Sequence, residues 1–215
     1  FLKKHHALGS FSADKLWDKL TEDERAALAA GVESGTWRLN GRLLHSERDP
    51  KREADRAAQA LAEGNAMVAV SCGAGWLLDV LPPGIRSLLL IEPSAFVAAA
   101  FLLARRYENF AGTITLFADD LSRSEALEEV LPWLQGKNLK KTTIYYHAAS
   151  LAAHKPLYTR AYERVVALFE KRSVNQATIV KFQQLWNKNI FLNQRVIWSS
   201  ATLNDLLALA PPSAI

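Results

Sequence analysis

Two glycines and two carboxylates, each at the end of an apolar run, are the residues best placed to do chemistry. The stretch from Val68 to Leu78 reads VAVSCGAGWLL, a buried strand running into a glycine turn and then a helix. Gly73 and Gly75 let the backbone turn sharply and approach a phosphate or adenosyl group, with the N-terminus of the next helix aimed at it. Glu92 ends the next apolar run, 17 residues after Gly75. A carboxylate there holds ribose hydroxyls in dinucleotide-binding domains. Asp119 and Asp120 end the third run, where a ligand's base edge or amine is commonly met. Gly73, Gly75, Glu92 and Asp119 are therefore the candidate cofactor-binding residues.

The pattern is incomplete. A dinucleotide fingerprint asks for G-x-G-x-x-G, and Leu78 stands in its last position. Methyltransferase turns carry an acid before the first glycine and a third glycine after the second; Ser71 and Leu77 stand there, and Trp76 is bulky where a ligand would pass. A second reading stays open: Gly73 and Gly75 make a tight strand–helix turn, and Glu92 caps the helix that begins at Pro93. No particular cofactor follows from these residues, and no catalytic residue is assigned. Cys72 is the only cysteine and reads as a small buried hydrophobe. His147 and His154 are seven apart, which matches no usual metal pair, so no metal site is expected, although His147 ends a strand on the ligand edge.

The elements that must position these residues follow from periodicity. A helix is predicted over 12–31, a hairpin turning at Asn40-Gly41, and a helix over 49–64 with Pro50 at its first turn and Gly64 at its end. Strands at 66–71, 87–92, 113–118 and 142–147 then alternate with helices at 75–81, 94–107 and 122–134. These strands are continuous apolar runs, as parallel strands covered on both faces are. The expected class is α/β: a Rossmann-like, mostly parallel sheet with flanking helices over 49–155. A helix–hairpin segment precedes it over 1–48, and a helical tail follows over 156–215. Within the tail, helices are expected at 156–172, 173–198 and 203–210.

The totals bound the rest. The chain has 215 residues, 49% of them hydrophobic and 22% charged, with a net charge of +4. Bases and acids are interspersed, so neither nucleic acid nor a membrane surface is indicated as a partner. No apolar run reaches the ~18 residues of a membrane helix. One cysteine and no visible signal peptide fit the cytoplasm. The start at Phe1 and the apolar end after Pro211-Pro212 predict a chain cut at a domain boundary.

The order of short motifs resembles the motility accessory factor family, bacterial glycosyltransferase-like proteins linked to flagellin glycosylation. The matching residues are Asn40-Gly41, Asp49-Pro50, Glu53-Ala54, Gly73, Gly75, Ile91-Glu92-Pro93, His147, Pro156 and Tyr158, then Thr178, Phe182, Trp186, Asn189 and Asn193. They run through positions 36–210. The resemblance implies an N-terminal Rossmann-like domain with the start of its connecting helices. In that family a later domain opening with a G-P-S turn carries the sugar-nucleotide site, and no such turn occurs in this sequence. The implied activity of the parent protein is transfer of a nonulosonic, sialic-acid-like sugar from its cytidine monophosphate donor to flagellin. Flagellin and a nucleotide or nucleotide-sugar are the implied partners, this stretch being non-catalytic and free to oligomerise. The alternative reading is an S-adenosylmethionine-dependent methyltransferase-like protein.

Overall fold

A computed structural model of the chain describes residues 4–11, 15–61 and 64–172. The expected helices at 173–198 and 203–210, with Thr178, Phe182, Trp186, Asn189 and Asn193, lie outside the described residues. Two compact units divide between Phe169 and Glu170, and the first holds the sheet and all four candidate residues.

The centre of that unit is a five-stranded sheet in which every pairing is parallel. The strands are β1 (His6–Leu8), β4 (Ala66–Val70), β5 (Ser87–Glu92), β6 (Thr113–Ala118) and β7 (Thr142–Tyr146), in the order β1-β6-β5-β4-β7. All five residues of β4, and all of β5 and β6 except their first, are buried. This is the α/β Rossmann-like class read from the continuous apolar runs. A two-residue-per-strand hairpin, β2 (Arg38–Leu39) and β3 (Arg42–Leu43), turns at Asn40-Gly41, both at positive φ.

The helices start where side-chain caps allow. Thr21 and Glu24 form a reciprocal capping box at the head of α1 (Glu22–Ser34). The predicted helix over 12–31 therefore begins later, with one short 3-10 turn at Trp17–Lys19 before it. Asp49 accepts from the Arg52 N–H and Pro50 opens α2 (Pro50–Gln59). Ser94 accepts from the Val97 N–H and opens α3 (Ala95–Ala104), six of whose residues are buried. Two predicted helices shrink. The segment after the glycine turn is a 3-10 turn, Trp76–Asp79, before Pro82-Pro83. Over 122–134 a 3-10 segment, Ala126–Val130, runs into α4 (Leu131–Leu134). After α5 (Ala148–Ala153), residues 155–172 are helical.

One placement was not anticipated. β1, expected to lie in a separate helix–hairpin segment, is an edge strand of the main sheet, in register with Thr115, Leu116 and Phe117. Three residues with half-exposed side chains carry too little hydrophobic signal to announce a strand. No described helix is long and apolar enough to cross a membrane.

Candidate functional site

Chain order runs from β4 outward to β5 and β6 on one side, and returns to β7 on the other. The sheet thus reverses direction between β4 and β7, and open α/β sheets bind ligands outside the carboxyl ends of the strands at such a point. The residues that follow these two strands are Ser71–Gly75 and His147.

The glycine turn is tight and occupied. Ser71, Gly73 and Gly75 all have positive φ, at 65°, 54° and 87°. A Cβ on Gly73 would lie 2.5 Å from His45 Nε2 and 2.7 Å from His147 Cε1. A Cβ on Gly75 would lie 3.2 Å from the Phe101 ring and 3.4 Å from Arg106 Cβ. Glycine is needed here because φ is positive and the protein's own side chains press on the turn. Trp76 is covered by the Arg106 guanidinium, 3.1 Å from the ring centroid, and Arg106 is ion-paired to Asp79. Asn109 Nδ2 holds the other Asp79 oxygen at 2.9 Å.

The two carboxylates are also engaged from within. Glu92 is 1% exposed. It accepts the Tyr158 hydroxyl at 2.7 Å and the Ser94 N–H at 3.0 Å, both on Oε1. Burial pushes its pKa up to about 7, against the lowering effect of those bonds and of Ser71. Asp119 accepts the Leu121 N–H at 2.7 Å and the Ser10 N–H at 3.1 Å. Burial works to raise its pKa, but the hydrogen bonds win and hold it below the ordinary value. Cys72 is fully buried, and burial drives its thiol pKa upward. So Gly73, Gly75, Glu92 and Asp119 all sit at the carboxyl edge, as read from sequence, yet each faces protein.

A polar chain links these groups. Ser71 Oγ lies 2.9 Å from Ser150 Oγ and accepts the Gly73 N–H at 3.2 Å. Ser150 Oγ lies 2.8 Å from His147 Nδ1. His147 is 5% exposed, and its Nε2 has no partner. Its ring stands 4.8 Å, centre to centre, from that of His45. Burial, with His45 beside it, lowers the His147 pKa to about 3. Burial and the Arg106 charge lower that of His45 to about 4. Both rings are neutral at pH 7. Ala74 N–H donates to His45 Nε2 at 2.9 Å, which fixes that ring against the turn.

Beside the turn lies a cavity of about 530 Å³. Its walls include His45, Asp49, Arg52, Glu53, Tyr145 and His147. That volume suits a small-molecule ligand. Glu53 on α2 accepts the Ser46 N–H at 2.8 Å. One ligand atom each from His45, Glu53 and His147 lies within 4.8 Å of the other two. The sequence does not single out His45 and Ser150, Ser71 is marked only as standing where a methyltransferase turn has its acid, and Arg105-Arg106 reads as a solvated face. His45 sits in RLLHSERDP between a hairpin and a helix, with no partner at any regular spacing. His147 and His154 take different roles: His154 follows the end of α5 and is exposed, whereas His147 caps the start of α5.

No family model, curated protein or solved structure matches this chain.

Proposed function

We propose that this chain is the Rossmann-like accessory domain of a motility accessory factor-type glycosyltransferase, and that it does not itself carry the transfer chemistry. In this reading the parent protein works in the cytoplasm and modifies flagellin with a nonulosonic sugar. The reading takes its family from the order of motifs in the sequence, and its non-catalytic character from one observation. The carboxylate that would bind ribose, Glu92, is buried and accepts from Tyr158 and Ser94 instead. A ribose site must present its carboxylate oxygens to the crevice. The motif residues Gly73, Glu92, His147 and Tyr158 support the same reading, because they are joined through Ser71 and Ser150 into one internal network. Such a network holds a shape, and it keeps Ser71, Cys72, Glu92 and His147 buried at the turn.

The test is a parallel calorimetric titration with S-adenosylmethionine, S-adenosylhomocysteine and cytidine monophosphate. The expected outcome is no saturable binding at micromolar Kd, a free energy of about −8 kcal/mol. Micromolar binding of either adenosyl compound would return the methyltransferase alternative. Micromolar binding of cytidine monophosphate would place the donor site in this chain and end the accessory reading.

A further inference from the structure

We infer that His45, Glu53 and His147 form a binding site for one divalent transition-metal cation of the zinc type, at the wall of the 530 Å³ cavity. Two imidazoles and a carboxylate are a donor set that suits zinc, and three protein ligands leave a position open for water or an anion. The ligands come from three separate elements: the segment after β3, helix α2, and the end of β7. The cavity also carries Arg52 and Arg56, charges of the right sign for an anionic group on that open position.

One observation beyond the donor set itself supports a cation there, the unpartnered His147 Nε2. Buried ring nitrogens almost always find a partner, and this one has none among the described residues. Ligation at Nε2 requires the proton on Nδ1, donating to Ser150 Oγ 2.8 Å away, and so gives up the longer bond that Nδ1 accepts from the Ser150 N–H at 3.3 Å. A hydrogen bond from the far nitrogen is how metal-binding histidines are oriented. Tetrahedral bonds of about 2.0–2.1 Å put ligand atoms roughly 3.3 Å apart. The present separations, up to 4.8 Å, require the cluster to draw in, and Glu53 on its flexible stem is the member best able to move.

Filling the site has a consequence for the glycine turn. A neutral imidazole has one lone pair. The lone pair of His45 now accepts the Ala74 N–H. Ligation takes that lone pair, so Ala74 must give up its acceptor, and the cation becomes coupled to the turn.

The chain, stripped with a chelator, is titrated with zinc by calorimetry, and with cobalt(II) to read its visible d–d absorption. Wild type is expected to take up about one equivalent, show a low-coordinate cobalt spectrum, and move the Ala74 amide resonance. Glu53→Gln keeps an acceptor for the Ser46 N–H and so keeps the fold; it and His147→Ala are each expected to weaken uptake at least ~10-fold and to lose the cobalt band. A zinc-induced rise in the melting temperature is expected in wild type and not in Glu53→Gln. The proposal is overturned if no stoichiometric uptake occurs. It is equally overturned if uptake and spectrum survive both substitutions, which would assign the metal to His5, His6 or His154. None of these outcomes depends on whether the chain serves a glycosyltransferase.

Discussion

The glycine turn and the cavity beside it are neighbours with opposite histories of legibility. The turn advertises itself in sequence as a nucleotide site, and in three dimensions it is shut: His45 and His147 press on Gly73, Phe101 and Arg106 on Gly75, and Tyr158 on Glu92. The cavity's residues share no regular spacing, yet it is open and collects two histidines, two arginines, two acids and a tyrosine. A motif encodes a backbone path over a few consecutive residues. Whether the space beside that path is empty is settled by side chains arriving from elsewhere. The comparison therefore separates what a turn is shaped like from what it has room for.

The sharpest way to break the comparison is to put a methyl group where the two regions touch. Gly73→Ala would place a carbon 2.5 Å from His45 Nε2 at a φ of +54°. The backbone conformation costs about 1 kcal/mol for a non-glycine residue. Overpacking a rigid interior adds about 1–3 kcal/mol. A loss of roughly 2–4 kcal/mol is expected in urea unfolding. Gly41→Ala is the control, with φ +75° and nothing within 4 Å of the new carbon, so only the conformational part should appear. Equal losses in the two variants would mean that the histidines do not crowd Gly73 and that the turn has room after all.

Next in size is the pH dependence of Glu92. Unfolded, its carboxyl loses the proton near 4.5; folded, it keeps the proton up to about 7. Between these values the native state binds more protons than the unfolded state, so stability falls as pH rises from 4.5 to 7 and is level above. At about 1.36 kcal/mol per unit, the fall is about 3 kcal/mol. His45 and His147 act in the other direction, because their native pKa values lie below the ordinary 6.5 and stability is lost as pH falls beneath it. The Glu92 contribution is isolated by the difference between wild type and Glu92→Gln in denaturation at several pH values. Glu92→Gln should gain on wild type as pH rises through 4.5–7. A constant difference would mean that Glu92 is open to solvent, as a ribose-binding carboxylate is.

Tyr158→Phe is the smaller companion. It removes the hydroxyl that donates to Glu92 at 2.7 Å and leaves a buried acceptor short of one partner, at about 1–3 kcal/mol. A loss under ~0.5 kcal/mol would show that the carboxylate finds water, and so that a path into the crevice exists.

These effects also explain what the sequence could and could not disclose. Periodicity announces β4, β5 and β6 because they are buried on both faces, so each apolar run is nearly unbroken. Residue type announces the hairpin because Asn40 and Gly41 both take positive φ. Neither signal finds β1, whose three residues are stabilised by pairing with β6 rather than by their own pattern. Ser71 and Leu121, non-glycine residues at φ 65° and 58°, sit at the carboxyl ends of β4 and β6, and nothing in their residue type marks them. Both make local sense only in the fold: Ser71 Oγ holds the Gly73 N–H, and the Leu121 N–H holds Asp119. The candidate residues Gly73, Gly75, Glu92 and Asp119 were legible as positions. Their occupancy was not, because Tyr158 lies 66 residues from Glu92 and Ser10 lies 109 from Asp119.

The finest test asks which of the two closures keeps the turn shut. Arg106 covers Trp76 and flanks Gly75, while Tyr158 and Ser94 hold Glu92. Arg106→Ala removes the first closure alone. Its ion pair with Asp79 and its contact with the indole are partly exposed, so the stability cost is about 1 kcal/mol. Trp76 fluorescence should report the lost cover. If steric cover were the whole reason for a silent crevice, the variant would begin to bind S-adenosylhomocysteine, and calorimetry would detect it. The expected outcome is continued silence, because an uncovered turn still lacks a ribose carboxylate: Glu92 stays bound to Tyr158 and protonated up to about pH 7. Binding gained by Arg106→Ala would make Trp76 and Arg106 a removable lid over a competent site, and the difference between the two regions would then be one of access rather than of design.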